Sequence, residues 1–418
     1  MNIVIKDAKV YDSASPYHLQ TVSVQIQEGK IIAIAPEINT PQGFTEVNLP
    51  DLCISPGWFD TSVCFGEPGF EERETLLNGL QVAALSGFTS VAVQPNTFPV
   101  VDNQSAVQFI LNKSKETAVN AYPIGALTKK SEGKDLAELF DMKNAGAIAF
   151  GDYNKSITDA NVLKIALQYA QDFDGLVITY CLDAQLKGSG VVNEGVVSTY
   201  LGLKGIPALA EEIQIARNLF LLEYTGGKLH IPTISTQKSV QLIQEAKAKG
   251  LQVTCSAAVH HLVLTDEVLH SFDSRYKVTP PLRAEEDRQA LIQGVLNGTI
   301  DCITADHNPI DIEYKKIEFD HAKNGTIGLE SAFGALQTVL PTEVIVEKLT
   351  AGKNIFKLEK TLIKEGQSAE ITLFTNNNES VFEKKNILSK SKNSAFLGQP
   401  LKGKVYGIYN NQQLIIQS

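Results

Sequence analysis

The sequence predicts an α/β fold: a closed (β/α)8 barrel with a small β-sandwich domain built from both chain ends. Three observations predict it. Between residues 55 and 365, short apolar runs alternate with helix-patterned stretches, giving about eight strand–helix units. Residues 1–54 and 366–418 follow a two-residue apolar–polar alternation instead, as half-buried strands do. The two β-rich segments sit at opposite ends of the chain, where domain termini commonly meet. An open doubly wound sheet is the alternative architecture. No GxGxxG or GxxxxGK[ST] follows a strand, which argues against nucleotide binding.

In chain order, NIVIKDAKVYD, VSVQIQEGKIIAIAP and EVNLPDLCISPG read as strands, with a hairpin turn at Glu28-Gly29. The barrel strands are expected at ISPGWFDTS, TSVAVQP (89–95), NAYPIGAL (120–127), AIAFGD (147–152), GLVITYCLD (175–183), GKLHIPTIS (227–235), LQVTCSAAV (251–259) and TIDCITADH (299–307). Between them TLLNGLQVAALSG, DANVLKIALQYAQDF, EEIQIARNLFLLEYTG and TQKSVQLIQEAKAKG carry helical periodicity. AEITLFTNN and GKVYGIYNNQQLIIQ return to alternation and complete the small domain.

Composition narrows the setting. A net charge of -10 argues against a nucleic-acid surface. Five cysteines, odd in number and without a CxxC pair, fit a reducing compartment. The N-terminus alternates like a strand and lacks a signal peptide's apolar run, and no stretch approaches a membrane span in length. A cytoplasmic protein is the expectation.

In a (β/α)8 barrel the chemistry gathers at the C-terminal ends of the strands. The residues expected there are Ser62, Cys64, Asn96, Asp152, Tyr153, Tyr180, Thr233, His260, His261, Asp306 and His307. His230 lies three residues before Thr233, so strand alternation turns the two to opposite faces and makes His230 a packed core residue. His260 and His261 are likewise expected to face opposite ways. His18, His270 and His321 sit in polar contexts and read as surface residues.

Several stretches together carry a family resemblance. They are PGWFDTSVCFGEPGFEERET, GFTSVAVQPNT, AFGDYN, VVNEGVVS, AEEIQIAR, HIPTISTQKS, VTCSAAVHHLVLT, VTPPLRAEEDRQALIQGVLNGTIDCITADHNPI and NGTIGLES. In this order, over roughly residues 55 to 335, the chain resembles the dihydroorotases of the cyclic amidohydrolase family. The resemblance implies a barrel of the amidohydrolase type and a place in pyrimidine biosynthesis. Active members close or hydrolyse the ring of dihydroorotate with one or two zinc ions, which acidify a water and polarise the amide carbonyl.

The resemblance also implies a ligand set, and here the chain departs from it. The family's His-x-His pair falls on Ser62 and Cys64, its bridging carboxylate on Tyr153, and its two single histidines on Tyr180 and Thr233. Only Asp306 is retained. Gly66 stands where the family carries an arginine for the substrate carboxylate, Ile310 where it carries a second histidine, and Thr279 where it carries an asparagine; Asn96 is kept. Ser, Thr and Tyr are poor zinc ligands, so no zinc cofactor is expected.

The reading that follows is a dihydroorotase-like protein that has lost catalysis and serves a structural or regulatory role. Tyr153 and Tyr180 would then fill the emptied site with aromatic bulk. Aspartate carbamoyltransferase, or a second copy of the chain, is the partner the resemblance implies. Two alternatives stand beside it. One is an active cyclic amide hydrolase working through an unusual site, with Asp306 as its catalytic residue or with Cys64 as a nucleophile activated by His307. The other is a binding module whose pocket keeps Asn96, Asp306 and the TIGLES loop (326–331); the resemblance also implies Asn96 and His260 as substrate-binding residues.

Overall fold

In the computed structural model, which describes residues 1–417, the N-terminal alternating segments form β1 (Ile3–Val10), β2 (Thr21–Gln27), β3 (Lys30–Ala35), β4 (Thr45–Val47) and β5 (Cys53–Pro56). Strands β1, β2 and β3 run antiparallel in sequence order. The β2–β3 hairpin turns at Glu28 (φ 49°) and Gly29 (φ 78°). Two successive left-handed residues match the right-handed twist of the strands they join. One end of β1 pairs with β4 and the other with β5, both in parallel.

The barrel follows. Its first half runs β6 (Trp58–Val63), α1 (Leu76–Leu85), β7 (Phe88–Val93), α2 (Gln104–Ser114), β8 (Asn120–Gly125), α3 (Leu139–Ala145), β9 (Ala149–Phe150), α4 (Ala160–Ala170) and β10 (Val177–Ile178). An excursion carries α5 (Ala184–Lys187), β11 (Val192–Asn193), α6 (Val196–Leu201) and β12 (Gly205–Ile206), the two strands pairing only with each other. The second half is α7 (Leu209–Thr225), β13 (Leu229–Ile231), α8 (Gln237–Ala248), β14 (Val253–Ala258), α9 (Val259–Val263), α10 (Glu285–Leu296) and β15 (Cys302–Thr304), followed by α11 (Leu329–Leu336), α12 (Thr342–Thr350) and α13 (Gly352–Ile355).

Eight strands, β6 to β10 and β13 to β15, make one parallel sheet in sequence order. The circle closes where Val63 bridges His307 and the Cys64 amide donates to the His307 carbonyl at 2.8 Å. All six residues of β7, FTSVAV, are buried, as expected of a parallel strand covered on both faces. Side chains of Thr75, Asn103, Asp159 and Thr236 accept backbone N–H groups in the first turns of α1, α2, α4 and α8. These caps start the helices close to the strand ends.

Inside the barrel, Phe59, Ala92, Ile124, Ala149, Ile178 and Phe356 pack together. Outside it, Trp58 stacks on Phe333 at 5.1 Å and meets Phe374 at 5.6 Å. Phe374 belongs to β16 (Ile371–Val381), which pairs with β5 and with β17 (Pro400–Asn410); β18 (Gln413–Ile416) completes that sheet. Both chain ends therefore share one sheet with its own apolar core of Ile3, Ile5, Val24, Ile54, Leu373 and Tyr409. The Glu370 carboxylate ties this sheet to the barrel, accepting from Thr89 Oγ1 (2.6 Å), Ser90 Oγ (3.2 Å) and Lys353 Nζ (2.5 Å).

Candidate functional site at the barrel mouth

The C-terminal ends of β6 and β15 meet at the closure, and their polar residues bond to one another. Asp60 accepts from the Ser62 amide (2.9 Å), Thr304 Oγ1 (2.6 Å) and the Ala305 amide (2.7 Å), a buried clasp across the closing seam. Above it, Ser62 Oγ donates to Asp306 Oδ1 at 3.1 Å and accepts from Gln94 Nε2 at 3.2 Å. Among the described residues no ion pair engages either carboxylate. Burial, the larger cause in each case, pushes Asp306 up to about 7 and Asp60 up to about 6. Asp306 is therefore poised to hold a proton near neutrality.

Beside this pair stand Tyr153, Tyr180 and Thr233. The Tyr180 hydroxyl lies 2.6 Å from Thr279 Oγ1. Tyr180, Tyr153, Thr233, Ser62, Gln94 and Asp306 enclose a cavity of about 10 Å³. That is space for one water at most, against about 300–1,000 Å³ for a small-molecule pocket. The backbone here is strained: Tyr153, Thr233 and Asp306 have φ of 54°, 49° and 44°, a region uncommon for any side chain but glycine and costly for a β-branched one.

Three sequence expectations need correction. His230 and Thr233 were expected on opposite faces. Instead the His230 ring packs on Phe356 inside the barrel (5.9 Å), its Nδ1 is 2.9 Å from Thr254 Oγ1, and Thr233 lines the cavity higher up. The left-handed residue at 233 breaks the strand alternation on which the expectation rested. His260 and His261 lie in α9, not on a strand, with ring centroids 4.4 Å apart. His260 is buried and lines neither the inner cavity nor the cleft above it; its burial holds it well below the usual imidazole range. The Cys64–His307 pairing also fails. His307 Nδ1 accepts the Gly328 and Leu329 amides at 3.2 and 3.4 Å, and burial lowers the ring to about 3. Burial likewise raises the Cys64 thiol, so at neutral pH the thiol keeps its proton and the unprotonated His307 ring is too weak a base to take it.

Asn96 and Asp152 lie farther out. Asn96 lines an outer cleft of about 380 Å³, and its Oδ1 is buried without a hydrogen-bond partner. The Asp152 carboxylate turns inward to the Leu127 and Thr128 amides at 2.9 and 3.0 Å. Sequence reasoning missed Asp60 and Gln94, whose only signal is a polar residue inside an otherwise apolar strand. It also missed the pair of Arg283 and Glu211, 3.6 Å apart and fully buried. Arg283 donates to Ser235 Oγ (3.1 Å), Asn193 Oδ1 (2.9 Å) and the Ile206 carbonyl (3.1 Å), and so ties the excursion to β13.

A catalytic zinc takes three protein ligands from His, Cys, Asp and Glu, plus a water. Among the described residues, no three such side chains are grouped to hold a metal ion. On the wall of the inner cavity only Asp306 belongs to that set, and its polar neighbours Ser62, Thr233, Thr279, Tyr153 and Tyr180 offer hydroxyl and phenol groups. These residues do not fit the group.

Comparison with known proteins places this geometry in context. Residues 52–239 match the family model described as Dihydro-orotase-like. A dihydroorotase of Syntrophus aciditrophicus is 39% identical over 413 residues, covering 97% of each chain. One of Pelotomaculum thermopropionicum is 40% identical over 424 residues, covering 100% of this chain and 99% of its own. Among solved structures, the L-hydantoinase (dihydropyrimidinase) of Arthrobacter aurescens superposes with a TM-score of 0.85 over 100% of this chain and 96% of that one, at 20% identity. A D-hydantoinase gives 0.81 at 19% identity, over 100% of this chain and 97% of its own. The hydantoinase likeness shows the fold alone, and the full-length identity to the curated relatives shows the family: the chain belongs to the dihydroorotase family.

Proposed function

We propose that this chain is a non-catalytic dihydroorotase-like protein of pyrimidine biosynthesis, with a structural or regulatory role. One observation carries the reading: the space where a substrate and metal would sit is reduced to about 10 Å³ by Tyr153 and Tyr180, with Asp306 the single carboxylate on its wall. Without a metal to acidify water, a lone carboxylate is a weak catalyst of amide hydrolysis. Full-length relatives named dihydroorotase support the link to pyrimidine synthesis.

A non-catalytic role needs a partner, and α7 offers a surface for one. Leu209, Ile213, Phe220 and Tyr224 are all exposed, Phe220 by 70% and Tyr224 by 77%. At 3.6 residues per turn they fall within an arc of about 60°. An apolar stripe of this kind marks an interaction surface. Aspartate carbamoyltransferase is the proposed partner, with a second copy of the chain as the other candidate. Sedimentation of the chain alone and with the transferase distinguishes them, and Phe220→Asp should abolish whichever complex forms. A chain that stays monomeric under both conditions removes the partner proposal.

The near-neutral Asp306 favours a second reading, an active cyclic amide hydrolase with an unusual site. One assay decides. Purified protein is given carbamoyl aspartate or dihydroorotate, with and without added Zn²⁺. No conversion above a protein-free control is expected; zinc-stimulated conversion that disappears in Asp306→Asn would overturn the proposal.

A further inference from the structure

Above the filled inner cavity the barrel mouth keeps a second, open chamber of about 380 Å³. Tyr153 and Asn154 line both spaces and form the boundary between them. The chamber's charge is unlike that of the whole molecule. The chain carries -10 overall, yet Arg73, Lys155 and Lys323 all line this one cleft. Its single lining carboxylate, Asp152, is directed at backbone amides of 127 and 128 instead.

The Arg73 guanidinium is already positioned. It stacks on the Phe70 ring at 4.0 Å, and its Nε is buried with no hydrogen-bond partner. The adjoining Glu72, half exposed, forms a long ion pair with the same Nε at 3.6 Å, too far for a hydrogen bond. Lys323 lies over the Tyr314 ring at 3.5 Å; burial first, then the neighbouring Arg73 charge, lowers its affinity for a proton, with Glu72 opposing. Two cations that repel each other across a cleft are the arrangement an intervening anion relieves. Lys155 reaches the same cleft and donates to the Ser131 carbonyl at 3.2 Å. Asn96 Oδ1 is a buried, unpartnered acceptor on a residue of the wall.

We propose that this chamber binds a compact multivalent anion, held by the Arg73 fork and the Lys155 and Lys323 ammonium groups. Arginine with free donors in a fixed plane recognises carboxylate and phosphate oxygens in pairs. A concave, low-dielectric wall strengthens the field of three clustered cations. The volume suits a small metabolite and excludes a polymer. Carboxylate and phosphate share this chemistry, so the ligand's source is settled by titration. The proposal is independent of whether Asp306 is catalytic, because Asp306 does not line the chamber.

The test is calorimetric titration of the full chain at low salt with citrate, inorganic pyrophosphate and, as a neutral control, succinamide. One anion at least should bind with one-to-one stoichiometry, and the affinity should fall by about tenfold or more as salt is raised, since counter-ions screen the cleft. Arg73→Gln and Lys323→Gln should each weaken binding by about tenfold, the scale of one lost charge-assisted contact. Lys238→Gln, on the exposed face of α8, should leave it unchanged. Citrate alone would assign the site to carboxylates, and pyrophosphate alone to phosphates. Lack of binding by both anions, or binding indifferent to both Lys323→Gln and Lys155→Gln, overturns the proposal. These two lysines are exposed, so their variants remain informative even if Arg73→Gln fails to fold.

Discussion

Asp306 is the carboxylate of the inner cavity, and burial governs its charge. Burial raises it to about 7, and Asp60 beneath it to about 6. The folded chain therefore holds protons that the unfolded chain, with ordinary carboxylates, releases well below these values. Stability from such a group is fully present below the unfolded value and is lost as pH rises through the folded one. The contribution of these two carboxylates should therefore decline between pH 5 and pH 8, against the opposite trend of the buried neutral His230, His260, His261 and His307, whose lowered values favour the folded chain as pH rises. Asp306→Asn keeps the shape without the titration. It should flatten that decline and stabilise the chain at pH 8 by about 1–3 kcal/mol, since a tenfold difference in proton affinity is worth about 1.4 kcal/mol. Thermal unfolding of both proteins across that pH range checks it, and parallel curves would refute it. The strained backbone at 153, 233 and 306 persists although Tyr and Thr gain nothing from a left-handed conformation.

At the scale of elements, the sequence made the strand–helix rhythm and the pairing of the chain ends legible, because both rest on burial periodicity. Each expected strand run contains an observed strand, and the Glu28-Gly29 turn lies where its residues require. What stayed illegible lay past the strand ends. There a single left-handed residue at 233 redirects the chain, and a helix begins at Val259 where strand alternation was extrapolated. Partnerships across long sequence distances were invisible too. Asp60 with Thr304 and Ala305, or Arg283 with Glu211, follow from barrel closure and from no local pattern. Arg283→Ala would leave the Glu211 carboxylate buried and unpaired, which costs about 3–5 kcal/mol. Denaturant unfolding should register that loss, and a cost under about 1 kcal/mol would show that the pair is not what holds the excursion in place.

Across the whole molecule, a closed eight-stranded barrel and its two-ended sheet are complete, and the mouth is arranged in two layers. The inner layer is closed by Tyr153, Tyr180 and the bond of Ser62 to Asp306. The outer layer stays open and cationic. Family membership follows from similarity along the full chain, whereas the chemistry depends on a handful of strand-end positions that such similarity hardly weighs. The proposal of lost catalysis rests on the donors at those positions. Its most direct test is the zinc content of the full-length protein, measured by elemental mass spectrometry after incubation with excess Zn²⁺ and gel filtration. The account predicts far less than one ion per chain, with Asp306→Asn no different from the parent. One or two tightly held ions per chain, lost in Asp306→Asn, would contradict it.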